Sequence, residues 1–466
     1  MKARQKSVDA RMLDGDVVRL SRSHGKRLYR GVTLLLCAVV LGSCSVKGGN
    51  VIDLMPPPDV FVSSDVSPFD ERFDPSAPAP YQGILYATNR QPHENQAAGE
   101  GSATTRDRRY ENERGHVVRL GAARVSIGEG DIDWEEARRI SLLKNRPGNY
   151  PLRVTSVTEF GILDSTIHPF LDPEAAAGLR DTAERLFTDA VNAKLDMSSM
   201  QDIVIYVHGY KVVFENPILV MAELWHFLGY EGVAIAYSWP STPKRTAYFA
   251  DIQTAELSAL SFRLFLSYLA QQTRTRRIHI VAYSAGTRLV ARALQDLALM
   301  ARGDPDVAGS SRLGAVVLAA SDIDRQQFGA YLADGILDVV DELMVYTSAS
   351  DKALAISRWS LAKRDRLGQA FASLDPASPI AAYLRDSPKL TVVNVSGAEG
   401  ADAGNGHGYF RSSPLASSDI LTRLRWGLSP AERGLSRDIG SGIWTFPENY
   451  IENLQPIVAR LHREGR

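Results

Sequence analysis

The chain has 466 residues, 44% hydrophobic and 23% charged, a globular composition with room for one large core or two medium ones. Its 53 basic and 54 acidic residues leave a formal net charge of -1, so no whole-molecule field favours nucleic acid or an anionic surface. The 2 cysteines, Cys37 and Cys44, stand near the N-terminus, which leaves the body of the chain without a disulfide, a catalytic thiol or a cysteine zinc site.

The first elements are targeting signals. Lys2, Arg4, Lys6, Arg11, Arg19, Arg22, Lys26, Arg27 and Arg30 precede the apolar run "GVTLLLCAVVLGSC", an order of basic, apolar and small residues that predicts a signal peptide over residues 1–43. The apolar stretch falls well short of the roughly 20 residues that span a bilayer. Leu41-Gly42-Ser43-Cys44 resembles the lipobox of bacterial lipoproteins, with Cys44 as the lipidated residue and new N-terminus. This implies a membrane contact through an N-terminal lipid anchor in the cell envelope, on the periplasmic side or the outer membrane; simple secretion is the alternative. Residues 44–80, rich in Pro, Ser and Asp, predict an extended tether. The folded domain is then expected over 81–466, with a polar loop at 91–115.

From residue 201 onward, short Val- and Ile-rich runs alternate with amphipathic segments. "DIVIYVHGY" predicts a strand. "NPILVMAELWHFLGY" predicts a helix capped by Asn216, with Pro217 in its first turn and Gly229 at its stop. "GVAIAYSWP" is the next strand and 246–272 the next helix. "RIHIVAYSAG" is a strand entering a helix at 286–301, striped by Leu289, Val290, Ala293, Leu294 and Leu297. "LGAVVLAASD", "ELMVYTSASD" and "KLTVVNVSGAEG" are further apolar strands leaving into polar loops. Continuous apolar strands separated by helices predict an α/β fold, a mostly parallel central sheet with helices on both faces. Ligands of such sheets bind beyond the carboxyl ends of the strands.

Ser284 stands at one of those ends. A serine hydroxyl is a weak nucleophile, and acyl transfer needs it exposed on a tight strand-to-helix turn beside a base, with backbone N–H groups facing the developing oxyanion. Small residues permit that turn, and Ala282 and Gly286 stand where G-x-S-x-G has glycines. The competing reading is that Ser284 simply caps the helix that follows. The order nucleophile, acid, histidine is that of an α/β-hydrolase fold, and His407 in "GNGHGYF" follows the presumed last strand, where an imidazole can reach the serine. Asp351, after "ELMVYTSAS", is the first choice of acid, with Asp322 and Asp324 as alternatives on the preceding strand end. His208 precedes the serine, so it and Gly209 are read as shaping a loop whose Tyr210 N–H joins that of Ala285 in an oxyanion hole. Trp239, Tyr248 and Phe249 are core or rim aromatics, or the lining of an acyl pocket. Neither an H-E-x-x-H run nor clustered ligand spacing points to a metal, and no cofactor is implied.

The stretches "YATNRQP", "VYVHGYKVVFENP", "AIAYSWPS", "IHIVAYSAGTRLVARAL", "VVLAASDIDRQQF", "SDKAL" and "GHGYF" resemble an uncharacterised bacterial alpha/beta-hydrolase family found in secreted and lipoprotein-like envelope proteins. The resemblance runs from about 80 to 425. It implies a hydrolase fold with Ser284 and His407 as catalytic positions and Asp351 as the acid, and it supplies no substrate. The family's elbow reads H-S-M-G, whereas this chain has Tyr283 before and Ala285 after the serine. The leading expectation is a serine hydrolase of carboxylic esters, with lipid esters, thioesters and amides in the same chemical range. A non-catalytic envelope protein that uses the fold to bind a partner, and an acyltransferase, are the alternatives. Small-molecule or lipid-like acyl substrates are expected, and nucleic acid is not.

Overall fold

The computed structural model describes residues 50–62, 66–69, 83–93, 106–107, 109–128, 132–169, 180–360, 365–369, 371 and 374–464. The expected signal peptide over 1–43 and the lipidation point Cys44 lie outside the described residues.

The apolar runs pair into a single 13-stranded sheet. Its strands are β1 (Val51–Asp53), β2 (Ile84–Pro92), β3 (Arg106–Asp107), β4 (Tyr110–Ile127), β5 (Pro151–Ile162), β6 (Asp202–Val207), β7 (Val233–Ser238), β8 (Arg277–Tyr283), β9 (Leu313–Ala319), β10 (Glu342–Thr347), β11 (Leu390–Asn394), β12 (Ser436–Arg437) and β13 (Trp444–Thr445). Spatially the order is β1-β5-β4-β2-β7-β6-β8-β9-β10-β11-β13-β12, with β3 on β5. Every pairing from β2 through β13 is parallel. An antiparallel flank of β4, β5 and β1 extends one edge, and β12 closes the other.

Side-chain alternation explains why the central strands read as unbroken apolar runs. In β8, Ile278, Ile280 and Ala282 face one core, while Val281 and Tyr283 face the other. The first core is covered by helices Arg180–Asp196, Ala259–Gln272 and Gly286–Gly303. Helices Glu215–Phe227, Pro414–Trp426 and Tyr450–Arg463 cover the second. With both faces buried, neither can tolerate a polar alternation. β6 lies between β7 and β8, so the chain leaves it first to one side and later to the other. That reversal opens a crevice past the carboxyl ends of β6 and β8.

Four local expectations are corrected. The segment 44–80 is not a free tether over its described residues: Val51–Asp53 pairs with β5, and Leu54, Met55, Val60 and Phe61 are buried in the second core. Its prolines 56–58 carry no N–H to satisfy, so this strap crosses the body without a sheet partner there. The described parts of 91–115 belong to the end of β2, to β3 and to the start of β4, where Tyr110 bonds Tyr86 and Glu159. Asn216 does not cap its helix, which begins at Glu215 after Phe214, drawn in by packing of Phe214 on Tyr86 and Tyr110. The helix expected over 246–272 breaks at Ser258, whose hydroxyl donates to the Thr254 carbonyl and accepts from Asn89.

Candidate active site

β8 delivers its apolar side chains to the two cores and ends at Tyr283, and the next residue turns sharply. Ser284 has φ +52°, left-handed backbone that a non-glycine residue adopts only when its surroundings enforce it. The enforcement is visible: the Ser284 N–H donates to the Ala319 carbonyl at 3.0 Å. Its own carbonyl accepts from the Thr287 N–H at 3.0 Å and hydroxyl at 2.6 Å. The helix Gly286–Gly303 starts from Ala285 without a side-chain cap. Ser284 is therefore not a helix cap, and its Oγ lies 2.8 Å from His407 Nε2.

The small residues have separable reasons. A Cβ on Gly286 would stand 2.2 Å from the His208 carbonyl oxygen and 2.9 Å from that of Val207, so the helix starts against the end of β6 only because this residue has no side chain. A Cβ on Gly209 would come within 3.0 Å of the Ser284 Cβ. Ala282 presents its methyl to the first core instead, where alanine fits as readily as glycine.

His407 arrives on the loop after β11. Gly406, at φ +68°, passes so close to the Ser350 carbonyl that a Cβ would stand 2.6 Å from its oxygen. The His407 N–H donates to Asn405 Oδ1 at 3.2 Å. Just beyond, Tyr409 pins the loop to the sheet: its hydroxyl donates to the Tyr346 carbonyl at 2.7 Å and accepts from the Ala320 N–H at 2.6 Å. On its far side the imidazole Nδ1 is 2.7 Å from Asp351 Oδ2. Asp351 is fully buried at the end of β10, and its other oxygen accepts from the Leu354 N–H at 2.9 Å, which fixes the carboxylate as it starts the next helix. Burial opposes charging of His407, but the Asp351 carboxylate, by its charge and its hydrogen bond, and Asp322 farther off, outweigh this and raise the imidazole above its ordinary value of 6.5.

The two alternative acids are elsewhere engaged. Asp324 caps the helix Arg325–Ala333 by accepting from the N–H groups of Gln326 and Gln327. Asp322 accepts from Tyr248 at 2.7 Å and Ser357 at 2.6 Å, with Arg288 Nε at 3.4 Å. Arg366 Nε stands 3.7 Å from it, an ion pair too long for a hydrogen bond.

His208 directly follows β6 and is fully buried, stacked on Trp239 with ring planes 3° apart. Its Nε2 lies 3.0 Å from the Trp239 carbonyl and its Nδ1 2.6 Å from that of Gly209, while the Trp239 indole N–H returns a bond to the His208 carbonyl at 2.7 Å. Burial and the nearby Arg90 cation pull this imidazole well below its ordinary value, against the two carbonyls that favour its charged form. It fixes the loop 208–212, which puts Tyr210 and Lys211 beside Ser284. The Ala285 N–H, at the head of the helix, has no hydrogen-bond partner among the described residues. Phe249 is exposed, whereas Trp239 is core.

Sequence reading missed Arg90 and the strap. Arg90 is fully buried at the end of β2 and, among the described residues, hydrogen-bonds neutral groups: Ser238 Oγ, Asn112 Oδ1 and the carbonyls of Glu111, Val212 and Ser241. Burial pushes its guanidinium down to about 9, so it is still charged at neutral pH. It ties the 208–212 loop to the ends of β7 and β4. The strap, residues 53–56, walls a cleft of about 280 Å³ together with Tyr210, Lys211, Tyr283, Ser284 and His407. An isolated arginine at the end of an apolar strand was the available signal for Arg90, and the apolar "VIDLM" was that for the strap.

The site thus offers a hydroxyl, an imidazole and a buried carboxylate in one hydrogen-bonded line, opening into a cleft. No curated protein matches this sequence. Among solved structures, Pyrococcus horikoshii acylaminoacyl peptidase is similar at 12% identity with a TM-score of 0.28, over 75% of this chain and 50% of that one. Residues 183–425, which carry Ser284, Asp351 and His407, match the family described as alpha/beta hydrolase of unknown function (DUF900), and the chain belongs to that family.

Proposed function

We propose that the protein is a serine hydrolase that cleaves small carboxylic esters through an acyl-enzyme. The observation that carries this reading is the continuous line Asp351 Oδ2, His407 Nδ1, His407 Nε2, Ser284 Oγ, with spacings of 2.7 and 2.8 Å. Neutral His407 takes the Ser284 proton at Nε2 as Oγ attacks the ester carbonyl carbon, and Asp351 holds the ring tautomer and balances the imidazolium that forms. The carbonyl oxygen, now an oxyanion, faces the N–H groups of Ala285 and Tyr210, with the helix Gly286–Gly303 directed at it by its N-terminus. Collapse breaks the bond to the alcohol, which leaves with the His407 proton. Water then gives a proton to His407 and its hydroxyl to the acyl carbon; the bond from that carbon to Ser284 Oγ breaks, releasing the acid, and His407 returns the proton to Oγ.

Localisation belongs to the same proposal: Cys44 carries a lipid that holds the enzyme in the cell envelope. Two experiments test these readings. A fluorophosphonate probe labels the mature protein and leaves Ser284→Ala unlabelled; equal labelling of both proteins refutes the nucleophile. Metabolic labelling with a fatty acid marks the protein and not Cys44→Ala, and an unmarked parent protein refutes the anchor.

A further inference from the structure

The wall of the cleft opposite the loops is built from a piece of chain that the parallel sheet does not need. Residues 53–56 of the strap line the cavity that holds Ser284 and His407. They are tied on every side. The Leu54 N–H donates to the Tyr150 carbonyl at 3.0 Å and the Met55 N–H to Glu223 Oε2 at 3.1 Å. Arg146 donates to the Leu54 and Met55 carbonyls, each at 2.8 Å, and Arg411 to the Asp53 carbonyl at 3.2 Å. Arg411 is itself ion-paired with the buried Glu223, so the same carboxylate fixes both the strap and a cationic residue of the cleft lining.

The buried Leu54 and Met55 have both N–H and C=O bonded, and such a stretch cannot move aside cheaply, because each released group in a buried position loses its partner without gaining water. The cleft it borders, about 280 Å³, lies just below the usual size of ligand sites, which run from roughly 300 to 1,000 Å³. Its lining mixes Leu54, Met55 and Tyr283 with the charged Asp53, Lys211 and Arg411, which suits a short, partly polar substrate better than a long hydrocarbon chain.

We infer that the strap is the specificity-determining wall of this site: it sets an upper size limit, and the substrates are esters of short-chain acids. This rests on the ester-hydrolase reading above. Arg146 clamps the strap from outside the cleft lining, and Pro56 is an exposed lining residue, so the limit can be moved in both directions.

The test is a chain-length series of esters, acetyl, butyryl, octanoyl and palmitoyl, read as kcat/KM for the parent protein, Arg146→Ala and Pro56→Trp, with thermal unfolding as the control for folding. The parent discriminates against octanoyl and palmitoyl esters by about tenfold or more relative to butyryl, the penalty a pocket imposes on methylenes it cannot hold. Arg146→Ala relaxes that ratio, and Pro56→Trp steepens it, with butyryl ester losing more than acetyl. A parent that takes palmitoyl and butyryl esters equally, or an unchanged profile in a folded Pro56→Trp protein, overturns the inference. Failure of the smallest fluorophosphonate to label Ser284 would instead overturn the underlying hydrolase reading.

Discussion

Asp351 and Asp322 are buried aspartates just past the ends of adjacent parallel strands, β10 and β9, and they stand in contrasting surroundings. Asp351 faces an imidazole at 2.7 Å, a partner that gains and loses a proton near neutral pH. Asp322 faces Arg288, Arg366, Tyr248 and Ser357, two guanidinium groups and two hydroxyls. Position at a strand end makes either residue available, and the neighbours distinguish them: on the proposed mechanism only Asp351 touches a group that moves a proton. Asp322 still reaches the site at longer range, as one of the charges that raise His407.

Three measurements can break or sharpen that contrast. The largest effect is expected at Asp351→Asn, which keeps the shape but presents the wrong group to Nδ1; kcat should fall about 10⁴-fold with little change in KM. Near-parent turnover would move the acid's role away from Asp351. At Asp322→Asn the loss should be one of stability, about 3 kcal/mol in urea unfolding, because Arg288 and Arg366 are left buried beside a neutral group. A comparable collapse of kcat in a protein of parent stability would erase the distinction between the two aspartates.

The smallest effect is in the pH profile. The protonated imidazole cannot accept the Ser284 proton, so kcat/KM should rise with pH through a midpoint above the ordinary 6.5. Asp322→Asn removes a charge that favours the protonated ring, and the midpoint should move down slightly. A midpoint that stays put would show that Asp322 is electrostatically silent at the site.

Ser284, Asp351 and His407 were legible because each signal is local: an apolar strand, then a small or polar residue, in a fixed chain order. The parallel body was legible for the same reason, since strands buried on both faces have no polar alternation to hide them. The antiparallel flank was not, because β4 mixes charged with apolar residues along its 18 positions. Arg90 and the strap were unreadable for a different reason. The Val212 carbonyl that Arg90 holds is 122 residues away, and the carboxylate that holds Met55 is 168 away, distances over which sequence spacing carries no geometric information. For Asp351 against Asp322, sequence alone could only rank the two, since both occupy an equivalent place in the strand pattern.

The strap also has a consequence for the order in which the molecule is assembled. Val60 donates to Ser418, 358 residues later, and Gln455 donates to the Asp59 carbonyl, 396 residues away. Contacts that close loops of this length form late, after the local pairings of the sheet have shortened the path between their ends. The wall of the cleft is therefore expected to settle late, although it precedes the parallel strands along the chain. A chain interrupted before the helix Tyr450–Arg463 can carry Ser284, Asp351 and His407 and still lack a firmly seated cleft wall, so the defined cleft depends on that helix.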